Sequence, residues 1–500
     1  MSDRISGSGP RYHALDSLRA AAMLLGVLYH ALIFRFIFSG KQVMMNPGFP
    51  RRWTLEWMHS FRMPLFFLIS GFFGAMMFEK YGAKLFVRRR WSRIGIPMLF
   101  GLLTLSPLSA ISFMFVVDMT ASSKKDAKLA EALAKPDASP AKAKDAPAIT
   151  SKDATPEKEP KAAAEAKALA ASEVDLKAKG QEPASSKAAS KPPGGGDDSP
   201  FDMPPPPPTI ARRLIGDAAG LFSLGHFWFL WYLLVFVTVM PLVVMGLERL
   251  SPRISPERFE QSGLLLIRRG LMPMVLGVVS IPALYLAPAP FGWSLGTPVA
   301  GGLPFPDFAI RYDPELGFYF LYFAAGWCLY VMREGLPNLA KAWIPNLIIG
   351  TVAFTIATQA SSTYFTKPTT PHYGWIKVGT YVAYCLGQAF TALGFLGLFE
   401  RYCNRPSRTG RYLADTAFWV YVIHLPLVSI SLGLFKPLHL HWVLDGLCTA
   451  GLSTAVALLL YQYVVRHTFL MRLYGPAVIH KPKYEPSLAE LPMPEHAVGH

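Results

Sequence analysis

Residues 11–36 read RYHALDSLRAAAMLLGVLYHALIFRF, and this stretch decides how the rest of the chain is interpreted. It begins as a basic, polar segment and continues as an apolar run long enough to cross a bilayer as a helix. Asp16, Arg19 and His30 lie on this run. His30 follows Arg19 by eleven positions, so both side chains should project from one helix face, roughly 16 Å apart along the axis. Ionisable groups at membrane depth usually face a protein interior or a water-filled cavity, so this helix predicts a functional site inside an integral membrane protein.

The composition also predicts a polytopic membrane protein. Hydrophobic residues make up 52% of the 500 residues and charged residues 16%, against roughly 25% charged residues in soluble domains. We attribute the net charge of +16 to loops that set membrane topology, and we expect no nucleic-acid partner. The four scattered cysteines form no CxxC motif, so we expect neither a metal site nor a disulfide framework. The first apolar run lacks a signal-peptide cleavage site and should stay as a membrane anchor.

Long apolar runs predict an all-α fold of about ten transmembrane helices. The runs lie at residues 15–37, 57–77, 94–116, 226–247, 266–287, 316–332, 343–360, 376–399, 414–435 and 441–465. Lysine and arginine concentrate in alternate loops, which by the positive-inside rule places these loops and both termini in the cytoplasm. No internal repeat of the kind found in many transporters is evident.

These runs divide the chain into four parts. Residues 1–117 carry the first three helices, including the candidate catalytic helix, and residues 213–475 carry the other seven. Residues 118–212 are rich in Ala, Lys, Pro, Asp and Ser, which predicts one long disordered loop on the periplasmic side. We interpret this loop as a tether, with contact to the cell envelope as the alternative. Residues 476–500 are expected to be a disordered tail.

Polar side chains in three later spans are candidate substrate-binding residues. His59 and Arg62 lie three positions apart and are neighbours on a helix surface. They either handle an acceptor at the periplasmic end or reach toward lipid headgroups. His226 and Trp228 open the fourth span, where aromatic residues form either an interfacial belt or a stacking surface for sugars.

Tyr421 and His424 are a further candidate pair, three positions apart in a late span. We weigh an acceptor-binding role for His424 against a structural role in which it pairs with a neighbouring helix.

A cluster of arginines precedes the third span. Arg89, Arg90 and Arg93 belong to FVRRRWSRIGIP, and Arg90 and Arg93 should share one helix face. Several guanidiniums together suit phosphate, which they bind in a bidentate manner. A purely topogenic role would also account for these charges.

Five motifs in this order resemble the membrane acyltransferase family 3, and within it the branch of glucan-modifying succinyltransferases. They are LDSLRA followed by YH, HSFRMPLFFLISGFF, RRRWSRIGIP, HFWFLWYLL and AFWVYVIHLP. Arg19 and His30 match the basic residue and the histidine of the family's first span, and Arg90 and Arg93 match its Arg-x-x-Arg pair. The resemblance covers nearly all of the apolar sequence.

The resemblance implies a multi-pass enzyme of the bacterial inner membrane. Its co-substrate would be a cytoplasmic acyl-CoA, with no bound cofactor, and its acceptor a hydroxyl of a periplasmic or surface glycan. Succinyl transfer to osmoregulated periplasmic glucan is the favoured reading. O-Acetylation of another polysaccharide or a lipid-linked sugar is the alternative.

The residues themselves agree with acyl transfer. Attack of a sugar hydroxyl on a thioester needs a base near neutrality, which His30 supplies. Asp16 would fix Arg19, which would either bind coenzyme A or orient the site. Arg89, Arg90 and Arg93 would hold the phosphates of coenzyme A. We expect direct transfer rather than an acyl-histidine intermediate. A proton-coupled transporter with His30, Arg19 and Arg62 on its ion path, and a purely structural membrane protein, are the competing classes.

Overall fold

The computed structural model describes residues 12–37, 48–134, 225–250, 255–285, 314–366 and 371–475. Within these ranges every regular element is helical and none is a strand, which confirms the all-α prediction. The helices are α1 (His13–Ile37), α2 (Phe49–Arg90), α3 (Ile96–Ala134), α4 (Trp228–Leu250), α5 (Pro256–Arg268), α6 (Met272–Tyr285), α7 (Pro314–Val331), α8 (Leu336–Lys341), α9 (Trp343–Thr366), α10 (Tyr373–Tyr402), α11 (Arg408–Phe435), α12 (Trp442–Tyr463) and α13 (Leu470–Tyr474).

Apart from residues 127–134 at the end of α3, the described residues belong to one compact unit. Helix α3 continues to Ala134 and so extends into the tract predicted to be disordered from residue 118. The rest of that tract and the tail at 476–500 lie outside the described residues.

Seven helices in the described ranges are long and apolar enough to cross a membrane, or up to nine if each of two bent helix pairs is one span. The predicted number was about ten. The difference arises because the predicted spans 57–77 and 94–116 fall in one helical run, Phe49–Val116. At 1.5 Å per residue this run is about 100 Å long, roughly three times the hydrocarbon core, and Gly82 interrupts it with a φ of 70°. The multi-pass character is therefore clear, and the count depends on how this run is divided.

The predicted span at 266–287 is not a single straight helix, whereas the predicted span at 316–332 coincides with α7. Helices α5 and α6 meet at an angle of 106°, at a turn where Gly270 has a φ of 70°. Helix α6 has only 14 residues, fewer than the roughly 20 that cross a bilayer. Helix α7 likewise continues into a short helical segment bent by 85°. The apolar composition was recognised correctly, but the glycine turn divides the fifth predicted span.

Helix α1 lies inside the bundle and packs against α2, α10, α11 and α12. Its apolar side chains belong to the main core, including the fully buried Ala31 and Val27. Near its C-terminal end, Arg35 pairs with the buried Asp445 of α12, with 2.6 Å between Nε and Oδ2. Because a buried carboxylate without a partner is costly, this ion pair fixes α1 against α12.

Glycines let α2 and α7 approach closely. A Cβ on Gly71 would lie 1.9 Å from the carbonyl oxygen of Phe323, and a Cβ on Gly326 would lie 1.8 Å from that of Leu68. Each glycine therefore faces the backbone of the opposite helix. Small residues at such contacts are typical of membrane helix pairs, and the contact fixes the position of the side chains on α2.

We expect Gly326→Ala to lower the thermal unfolding midpoint of the protein in detergent, because the new Cβ would overlap the Leu68 carbonyl and the helices would have to separate. Gly451→Ala is the matched control, since nothing lies within 4 Å of the Cβ it would add on α12. This control should be neutral or stabilising, because alanine favours helix over glycine. Equal midpoints for the two variants would contradict the close packing of α2 and α7.

Candidate active site

Two histidines from different helices meet at the centre of the site. His30 of α1 and His424 of α11 lie with 3.2 Å between His30 Nδ1 and His424 Nε2. His424 Nδ1 faces the Tyr421 carbonyl at 2.5 Å, and His30 Nδ1 faces the Gly26 carbonyl at 2.9 Å. The structure thus brings together His30 and His424, which are 394 positions apart in the sequence.

These partners define which nitrogens carry protons. A carbonyl oxygen can only accept, so both Nδ1 atoms must donate to their backbone carbonyls. His424 Nε2 is then a bare acceptor, and the Nδ1–H of His30 is shared between it and the Gly26 carbonyl. The remaining nitrogen, His30 Nε2, has a free lone pair and makes no hydrogen bond within the described part of the chain. This tautomer is inferred from the partners, and it leaves His30 Nε2 able to accept a proton.

His226 and Tyr421 hold this pair in position. The Nε2–H of His226 donates to the Val422 carbonyl at 3.1 Å, and the Tyr421 hydroxyl donates to the His226 carbonyl. The ring centroids of His226 and His424 are 5.3 Å apart. Two reciprocal bonds therefore tie the start of α4 to α11. Three predicted acceptor-binding residues therefore lie together: His226, Tyr421 and His424. They contact one another's segments, and His424 also contacts His30 of α1.

Arg62 is a buried cation beside the histidines. Arg62 is 6% exposed, and its guanidinium carbon lies 5.0 Å from the centre of the Tyr29 ring. Its Nη2 lies 3.5 Å from His59 Nδ1, and its Nε has no hydrogen-bond partner. No carboxylate pairs with it among the residues that the structure describes. Because a buried cation without a counter-ion is expensive, Arg62 is suited to a negative charge that substrate brings or that the reaction creates.

Gly26 explains how Arg62 reaches this position. A Cβ on Gly26 would lie 2.5 Å from Arg62 Nη1, so the guanidinium occupies the space that any other residue would fill. The same glycine supplies the carbonyl that accepts from His30. Sequence reasoning missed Gly26 and Tyr29. A glycine one helical turn before a membrane-embedded histidine was the available signal, since it marks a close approach.

A second polar group lies near the N-terminal end of α1 and is formed by Arg19 of α1 and Arg90 of α2. Arg19 pairs with Asp16, with 3.3 Å between Nη2 and Oδ1, and donates to the Ala414 carbonyl of α11 at 3.2 Å. Arg90 is close enough to Arg19 for the two positive charges to repel each other, and its Nε has no hydrogen-bond partner. Arg90 and Arg19, the latter with its partner Asp16, are a candidate phosphate site.

The other two predicted phosphate-binding arginines each contact a group outside the pair formed by Arg19 and Arg90. Arg93 donates to the Gly475 carbonyl at 3.2 Å, and Arg89 lies over the Tyr81 ring at 3.9 Å. A π-helical turn spans Trp91–Gly95, so the angle between positions 90 and 93 differs from that of a regular α-helix. The phosphate-binding role of these arginines stays a prediction.

Trp228 lies apart from the histidine cluster. It packs among the aromatic rings of Phe67, Tyr232 and Tyr319 and is 7% exposed. Its ring is part of the core between α2, α4 and α7. No group of three or more His, Cys, Asp or Glu side chains suited to a metal ion occurs in the described ranges.

The chain is similar to known proteins of one family. Residues 12–462 match the family described as acyltransferase domain. The chain belongs to this acyltransferase family. The resemblance seen in the five motifs is thereby confirmed. The chain is also 39% identical over 114 residues to glucans biosynthesis protein C of Salmonella paratyphi B, Salmonella heidelberg and Salmonella agona. These alignments cover 22% of this chain and 29% of each relative. No solved structure is significantly similar to the chain.

We expect Gly26→Ala to reduce acyl transfer by about 100-fold while the unfolding midpoint changes little, because its Cβ would displace the Arg62 guanidinium from His30. Gly451→Ala adds the same methyl group in open space and should keep full activity. Transfer assays and thermal unfolding of both variants provide the measurement. Full activity in Gly26→Ala would show that the position of Arg62 against Gly26 does not matter for the reaction.

Proposed function

We propose that this protein transfers an acyl group from acyl-CoA to a hydroxyl of a glycan, across the bacterial inner membrane. The observation that carries the proposal is the pair formed by His30, with its free Nε2, and the buried Arg62 beside it. A base and an unpaired cation at one place are what attack on a thioester carbonyl requires.

The spacing of the two polar groups on α1 suits the shape of an acyl-CoA donor. Arg19 and His30 are roughly 16 Å apart along the helix axis. The pantetheine arm between the diphosphate and the sulphur has about as many backbone bonds as four extended residues, which corresponds to roughly 14 Å. A diphosphate held by Arg19 and Arg90 would therefore place the thioester near His30.

In the proposed reaction, His30 Nε2 accepts the proton of the acceptor hydroxyl as its oxygen attacks the thioester carbonyl carbon. The carbon–sulphur bond then breaks, and the leaving thiolate takes the proton from His30. While His30 is protonated, its Nδ1–H donates to the Gly26 carbonyl and His424 Nε2. These two acceptors stand where a carboxylate stands in a Ser-His-Asp triad, orienting the ring and stabilising its positive charge.

Arg62 would stabilise the oxyanion that forms when the hydroxyl adds to the carbonyl. Its burial makes this interaction stronger than the same contact in water. A succinyl donor offers a second partner for the cation, its distal carboxylate. Succinyl is the favoured acyl group from the resemblance of the motifs, and acetyl is the alternative.

The acceptor is proposed from the relatives. Their name, glucans biosynthesis protein C, points to a glucan, and the favoured acceptor is osmoregulated periplasmic glucan, with another surface polysaccharide or a lipid-linked sugar as the alternative. Because the N-terminal end of α1 holds the arginines, we place that end at the cytoplasmic face, where acyl-CoA is available. The acceptor would approach His30 from the opposite side.

We expect His30→Ala to lower transfer by about 10²–10⁴-fold, because the general base is lost. The assay follows label from succinyl-CoA and from acetyl-CoA into a periplasmic glucan, using the purified protein. His467→Ala is the control, since His467 is exposed and lies outside the site. Undiminished transfer by His30→Ala would reject the role of His30, and transport activity without acyl-CoA would reject the proposed function.

We expect Arg62→Gln to lower transfer from both donors by a similar factor, about 10²-fold, because the oxyanion forms with either acyl group. Arg401→Gln, on an exposed residue at the end of α10, is the control for loss of one positive charge. A loss confined to succinyl-CoA would instead show that Arg62 binds the distal carboxylate. Wild-type rates with both donors would exclude Arg62 from the reaction.

A further inference from the structure

A basic cleft lies between the start of α1 and the start of α11. Its volume is about 580 Å³, and it is lined by His13 and Ser17 from α1 and by Arg405, Arg408 and Arg411 from the segment that begins α11. A cavity of this size lies in the range of small-molecule sites. None of the five motifs includes these arginines, and the proposed reaction does not use them.

The cleft carries more positive charge than its own residues neutralise. Arg405 and Arg408 are exposed and form no ion pair with the residues that the structure describes. Arg411 has a distant partner, with 3.9 Å between its Nε and Asp415 Oδ2. Asp16 also lines the cleft, but it pairs with Arg19. Two guanidiniums are therefore available for an anion.

The backbone of α11 adds to this preference. Ser407 caps the helix, and its side chain accepts from the Gly410 N–H at 3.2 Å. The first amides of a 28-residue helix point toward the same end and favour a negative group there. Ser17 packs against Gly410, whose Cβ would lie 3.2 Å from Ser17 Oγ, so the two helices form a fixed wall of the cleft.

The cleft continues directly into the arginine group of the site. Asp16, which lines it, is one turn from Arg19, and Arg19 donates to Ala414, one turn beyond Arg411 on α11. A ligand that places a diphosphate at Arg19 and Arg90 would therefore extend its other end into the cleft. In the opposite direction, the same ligand would extend along α1 toward His30.

We propose that the cleft binds the 3′-phosphorylated ribose of the acyl-CoA donor through Arg405 and Arg408. This inference rests on the proposed function, because it assigns the remote end of the same donor. Guanidinium forks match the oxygens of a phosphate monoester, which carries nearly two negative charges at neutral pH. The cleft is thus the part of the enzyme that distinguishes coenzyme A from a donor without this phosphate.

The test compares coenzyme A with 3′-dephospho-coenzyme A. Binding of both to the wild-type protein and to the double variant Arg405→Gln, Arg408→Gln is measured by calorimetry, independently of turnover. Wild type should bind coenzyme A at least about tenfold more tightly, as expected for a charge-assisted contact. The double variant should bind the two compounds nearly equally, and Arg401→Gln should behave as wild type.

Transfer assays separate this inference from the proposed function. With acyl donors of both kinds, the double variant should show a raised KM for acyl-CoA only, with kcat unchanged. The role of the cleft would be overturned if the wild-type enzyme used both donors equally well. It would also be overturned if the double variant still preferred the donor with the 3′-phosphate. Acyl transfer itself would stand in both cases. If the wild-type protein binds both compounds but transfers an acyl group from neither donor, the proposed function fails. The binding comparison alone then shows whether the cleft binds the 3′-phosphate.

An anionic lipid headgroup offers similar chemistry, and the same binding experiment distinguishes it. The protein is placed in nanodiscs of phosphatidylcholine, with or without phosphatidylglycerol. Discrimination between the two compounds should be the same in both discs. If phosphatidylglycerol removes it in wild type, the cleft binds lipid headgroups, and the proposal is wrong.

Discussion

The hydrogen bond between His30 and His424 is the contact on which the site depends. It joins α1 to α11 inside the bundle, and it is satisfied only if both rings carry their protons on Nδ1. Backbone carbonyls rather than carboxylates enforce this arrangement. No negative charge is needed next to the base, so the histidines can be buried without an ion pair. Arg62, the buried cation beside the histidines, has no counter-ion in the part of the chain that the structure describes.

Periodicity along one helix was sufficient to predict the main axis of the site. His30 and Arg19 share a face of α1 because eleven positions are close to three whole turns, and this regularity survives folding. Asp16 pairs with Arg19 for the same reason. The helical class and the membrane character followed from apolar length. What a single helix specifies by its own geometry was therefore predictable.

Relations between helices were not predictable in this way. The approach of Arg62 to Gly26 arises because α2 runs beside α1, and the sequence of neither helix alone indicates it. A π-helical turn lies between Arg90 and Arg93, and no local pattern in RRRWSRIGIP indicates that turn. Trp228 belongs to the core because Phe67 and Tyr319 come from distant parts of the chain. Each of these outcomes needs the tertiary packing.

The fixed distance between the two polar groups of α1 has a consequence for selectivity. With the proposed donor bound at Arg19 and reacting at His30, α1 would set the distance between these two points. A donor whose arm is shorter or longer than the span from Arg19 to His30 would present its carbonyl at the wrong height, whatever its charge. Since Arg35 and Asp445 fix the far end of α1, the helix cannot slide to compensate. The enzyme would then select its donor by the length of the donor's arm as well as by its charge.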